Sequence, residues 1–65
     1  MTPAELHAAR TALGMTQGAL ASALGVGRRT IQQYEAGDRA IPELVARIVR
    51  AAIKNREILN AIAAA

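Results

Sequence analysis

The side chains equipped for chemistry are few, and the densest group falls within six residues. Arg28, Arg29, Gln32 and Gln33 join fixed positive charge to amide donors and acceptors, which suits recognition better than bond breaking. The chain otherwise supplies one histidine (His7), one serine (Ser22), one tyrosine (Tyr34) and no cysteine. Neither a catalytic triad nor a metal cluster can be assembled from that stock. No enzyme activity, metal or cofactor is therefore expected, and His7 reads as a surface or partly buried helix residue.

Size and charge narrow the classes further. The chain has 65 residues and a mass of 6.8 kDa, room for one domain, and none is left over for a small-molecule pocket. Hydrophobic residues make up 52%, yet sixteen of them are alanine and Tyr34 is the one aromatic. Side chains this small suit closely packed helices. No apolar run is long enough to span a membrane, and Met1-Thr2-Pro3-Ala4-Glu5 lacks the features of a secretory signal, so a cytoplasmic location is expected. The net charge of +3 is unevenly placed. Residues 1–26 carry Glu5 and Arg10 alone, and the whole excess follows, from Arg28 and Arg29 through Arg39, Arg47, Arg50, Lys54 and Arg56. That asymmetry points to an anionic partner for the second half. For Arg47, Arg50 and Lys54 a solvated helix face is the simpler reading.

Punctuation along the chain marks the elements that must hold the basic group. Thr2-Pro3-Ala4-Glu5 has capping-box spacing with proline at the first helical position, and Gly14 stops a first helix over about 3–13. Thr16 caps a second helix over about 17–24, which Gly25 ends. A third spans 28–36, with Ile31 and Tyr34 inward and Gly37 at its end. Pro42 starts a fourth, whose apolar side is Leu44, Val45, Ile48, Val49 and Ala52. Ile58, Leu59 and Ile62 keep a helical period beyond it, either as a fifth helix after a break near Lys54–Asn55, which we favour, or as a continuation.

Residues 16–37 have a logic of their own. Two short helices joined by so few residues must cross steeply, and Ala21 supplies the small side chain that close crossing needs. Gly25 lets the chain leave through a left-handed position, and Val26 plugs the turn. Leu20, Leu24, Ile31 and Tyr34 form a shared apolar wedge. The third helix keeps one polar, basic face of Arg28, Arg29, Gln32 and Gln33. Arginine pairs with guanine edges and glutamine with adenine, in a groove wide enough for a helix.

These residues resemble the helix-turn-helix of the phage repressor and Cro (XRE-type) family. The match rests on Leu13-Gly14-Met15-Thr16-Gln17, Leu20-Ala21, Leu24-Gly25-Val26, Thr30-Ile31, Tyr34-Glu35 and Gly37, with Pro42 opening the next helix. It covers about residues 6–52. The resemblance implies an all-α, compact five-helix, lambda-repressor-like domain spanning 1–65, which binds double-stranded DNA as a homodimer on an inverted-repeat operator. Its helix-turn-helix core would be 16–37 and its dimerisation region about 53–63.

Carried over by position, the family pattern puts Arg28, Arg29, Gln32 and Gln33 on base edges. Thr16, Gln17, Gly27, Thr30, Tyr34, Asp38 and Arg39 would meet the DNA backbone. Gln17 would hold a phosphate or brace a residue of the third helix against it, and Arg39 is the natural phosphate partner in its loop. Arg10 and Glu35 match positions of a buried structural ion pair. Ile58, Leu59 and Ile62 would form the dimer interface, although Ile58 and Ile62 could instead close the monomer core and leave Leu59 exposed. Two departures stand out. Gly27 replaces the usual serine or threonine cap of the third helix, losing a hydroxyl. Tyr34 replaces the common tryptophan, and its hydroxyl either turns to the DNA backbone or stays wet above a packed ring.

The function implied is a sequence-specific transcriptional regulator, most simply a small dimeric autorepressor of phage or bacterial type, with no small-molecule ligand. The alternative is an antitoxin-type module that neutralises a partner protein and also binds its own promoter.

Overall fold

The computed structural model describes residues 1–55, and these form four α-helices joined by short turns: α1 (Pro3–Ala12), α2 (Gln17–Leu24), α3 (Arg28–Ala36) and α4 (Glu43–Lys54). The first helix begins where its capping box dictates. Thr2 accepts the Glu5 N–H through its hydroxyl at 3.1 Å, and Glu5 accepts the Thr2 N–H through its carboxylate at 2.8 Å. Thr16 caps α2 in the same manner, accepting from the Ala19 N–H at 3.0 Å. Gly27 precedes α3 with no side-chain cap, which glycine tolerates at a few tenths of a kcal/mol.

The exits of α2 and α3 share one device. Gly25 (φ +72°) and Gly37 (φ +81°) are left-handed, a conformation that costs an L-residue with a Cβ about 1–2 kcal/mol. Each lets the next N–H turn back onto the helix, Val26 donating to the Ala21 carbonyl at 3.0 Å and Asp38 to that of Gln33 at 2.9 Å. The turn between α2 and α3 is short for this reason.

Packing places α3 between the other elements, in contact with both α1 and α2, while α4 closes on α1. The main cluster is Leu6, Ala9, Leu20, Ala21, Ile31, Tyr34 and Val49; Leu24 and Val26 pack at its edge. A smaller cluster joins Leu13, Ala23 and Ala52. Alanines at contact positions allow the short helices to approach closely, and Ala21, at 2% exposure, lies where α2 meets α3.

Some boundaries differ from the sequence reading. Leu13 is the C-cap of α1 and not its last helical residue. Pro42 is the N-cap of α4 with extended backbone (ψ 146°), its carbonyl accepting the Ala46 N–H at 3.1 Å, so the helix starts at Glu43. Leu44 is 68% exposed and leaves the apolar side assigned to it. The inward stripe runs through Val45, Ala46, Val49 and Ala52, and at 3.6 residues per turn Leu44 stands more than a right angle from its centre. The fourth helix does end at Lys54, with extended backbone at Asn55. The expected fifth helix, and Ile58, Leu59 and Ile62 with it, lie outside the described residues. No described helix is long and apolar enough to cross a membrane.

Candidate nucleic-acid interface

Two apolar residues three positions apart, less than one turn, are not enough to bury a helix on all sides, and α3 shows the consequence. Ile31 (0% exposed) and Tyr34 (5%) anchor it to the core. The opposite side carries Arg28, Arg29 and Gln32, all exposed, with Gln33 half-buried. Together with Ala36 and Asp38 these side chains line one open depression on the surface. The four residues expected on base edges are thus brought to a single face. No described group of His, Cys, Asp and Glu could hold a metal ion.

Behind that face, Glu35 ties α3 to its neighbours. Its carboxylate is only 8% exposed and accepts from Arg10 Nε at 2.7 Å. Arg10 Nη2 also donates to it at 3.1 Å, and Gln17 Nε2 at 3.3 Å. Arg10 Nη1 reaches the Met15 carbonyl at 2.9 Å, so a single guanidinium clamps α1, the connection to α2, and α3. The hydrogen bond from Arg10 holds the Glu35 carboxyl below the ordinary carboxylate range, against burial, which pushes the other way; His7 and Gln17 assist. The same bond raises Arg10. Gln17 therefore bridges α2 to α3 through Glu35.

His7 is the member that sequence reasoning missed. Its Nδ1 lies 3.1 Å from Glu35 Oε1 and 3.1 Å from Arg10 Nη2. A neutral ring serves only one of them, donating to Glu35 or accepting from Arg10 according to its tautomer. The available signal was the spacing of His7 and Arg10, three residues apart and hence on one face of α1.

The remaining expected contacts are more scattered. Thr16 uses its hydroxyl oxygen as the α2 cap, Thr30 is half-buried, and Gly27 precedes α3. Tyr34 is buried as a ring in the main cluster. No described buried side-chain oxygen lacks a partner, and Tyr34 as a whole is 5% exposed. Arg39 and Asp38 are exposed in the loop after α3. The Asp38 N–H, however, is engaged by the Gln33 carbonyl, which leaves Asp38 to present a carboxylate.

Comparison with known proteins adds one positive finding. A helix-turn-helix family model matches residues 6–53, a span that includes α1 from Leu6 onward, both helices of the steep pair and nearly all of α4. No curated protein and no solved structure matches the chain.

Proposed function

The chain belongs to the Cro/C1-type (XRE) helix-turn-helix family, and on that premise we propose that it is a dimeric repressor reading an inverted-repeat operator through α3. DNA-binding transcription regulation is the family's business; the dimer, the repression and the residue roles are our reading. One observation carries it: Arg28, Arg29, Gln32 and Gln33 line one depression on the side of α3 facing away from its anchors Ile31 and Tyr34. A helix pinned on one side and presenting mainly long donors and acceptors on the other suits entry into a major groove.

Arg28, Arg29 and Gln33 would contact base edges, with Gln32 beside them. Arg39 would hold the phosphate beyond the loop. The Asp38 carboxylate repels phosphate and suits a base amino group instead. Thr16, Gln17, Gly27 and Thr30, near the starts of α2 and α3, would lie along the backbone, where helix N-termini favour anions.

Symmetry follows from magnitude. A bidentate arginine–guanine pair discriminates by about 1–3 kcal/mol, so two or three contacts give modest specificity. Doubling the site brings a reader this small to useful affinity. Ile58, Leu59 and Ile62 are our candidates for the pairing surface, and binding across its own promoter would make the protein an autorepressor.

Selection from a randomised duplex library tests this. Enrichment of an inverted repeat is expected; enrichment of no sequence would defeat the reading.

A further inference from the structure

The stem of the exposed Arg28 runs past α2 at a place where that helix has no side chain. A Cβ built on Gly18 would meet Arg28 Cδ at 3.7 Å and Thr16 Oγ1 at 3.9 Å. Both are ordinary contact distances. One methyl group would fit there, whereas a longer side chain must displace the arginine stem or turn away from it. Backbone geometry gives no reason for the glycine. Its φ is not positive, unlike those of Gly14, Gly25 and Gly37, and it stands inside the first turn of α2, where glycine is a poor helix former.

The same Arg28 lines the depression on α3, so its stem passes the space that a side chain at position 18 would enter. We propose that Gly18 is a positioning residue for Arg28: the bare surface of α2 lets the stem lie across it and sets the direction from which the guanidinium meets DNA. Direction matters because the guanidinium is a planar fork whose donors fit guanine O6 and N7 together in one orientation. Filling position 18 swings the fork and changes the base it prefers, with little effect on the core, since Gly18 is only half-buried. This inference rests on α3 being the reading helix.

The test is selection from a randomised duplex library with the full chain, comparing wild type, Gly18→Ala, Gly18→Leu and Gly18→Gln. Affinity is then measured on the wild-type-selected duplex, with Gly18→Leu repeated in an Arg28→Ala background. Gly18→Ala should keep the wild-type preference. Gly18→Leu and Gly18→Gln should shift it at one position per half-site and weaken binding roughly five-fold or more. In the Arg28→Ala background the Leu substitution should change affinity less than about two-fold, since the coupling runs through Arg28. Melting curves identify any variant that fails to fold, and the two long side chains guard against that loss. An equal loss in both backgrounds would place the glycine against DNA itself and overturn the inference, as would unchanged preferences in the folded Leu and Gln variants. A wild type that discriminates no sequence would overturn the α3 reading, and this inference with it.

Discussion

Arg10 and Glu35 meet at 2.7 Å with side chains 14% and 8% exposed, and what removing either would do follows from that burial. Arg10→Met would leave a largely desolvated carboxylate with only Gln17 and His7 nearby, and breaking a buried pair typically costs about 3–5 kcal/mol. We expect a loss near the lower end by chemical denaturation, because those two partners remain. The pH dependence has a definite sign. The Glu35 carboxyl titrates below its ordinary range in the folded protein, so its contribution is complete above the unfolded value of about 4.3 and is lost as pH falls through the folded value. Stability should therefore drop below about pH 4.3, and Glu35→Gln should flatten that fall. Glu5, also held low by its bonds with Thr2, acts in the same direction and will leave a residual slope. The pairing of Arg10 with Glu35 came with the family resemblance. The joining of Gln17 and His7 to the same carboxylate did not, because residues 18 and 28 positions from Glu35 acquire a distance only when three helices are packed.

Helix ends were the most legible part of the fold. Capping residues act on backbone groups within a few positions of themselves, so Thr2, Thr16, Gly25 and Gly37 announce boundaries without knowledge of the tertiary structure. The errors arose where a boundary or face depends on neighbours. Proline serves at the cap or at the first turn equally well, and Pro42 took the cap. Leu44 carries the right side chain for a core, yet the direction of α4 against α1 decides which stripe is covered. Gly25→Ala tests the local logic of the pair. Nothing lies within 4 Å of a Cβ placed there, so the cost is backbone strain alone, about 1–2 kcal/mol. Thermal melts should register that loss with no change in helix content; an unchanged melting temperature would mean that the turn has another way to close.

Across the whole molecule the small side chains, the one-sided charge and the exposed polar face of α3 form one design. A core whose large, fully buried members are Leu6, Leu20, Ile31 and Val49 stays thin enough for short helices to cross closely, and in that arrangement α3 is anchored by two residues and offers the rest outward. Composition and the charge map directed attention to the second half of the chain; the depression itself needed the packed helices. Dimerisation belongs to this scale too. If Leu59 lies in the pairing surface, Leu59→Asp should sediment as a monomer and lose operator affinity, and a dimer that persists would move the contact elsewhere. Phosphate contacts should make binding fall steeply with salt, by orders of magnitude between about 50 and 200 mM.

The most direct measurement is binding to the DNA upstream of its own gene, for wild type, Arg29→Ala and Arg39→Ala across that salt range. Wild type should bind an inverted repeat far more tightly than unrelated duplex. Arg29→Ala should lose about 1–3 kcal/mol and relax one base preference, while Arg39→Ala should weaken all sequences alike and reduce the salt slope by about one. Equal binding to any DNA, or an Arg29→Ala protein as selective as wild type, would contradict the assignment of α3 as the helix that reads sequence.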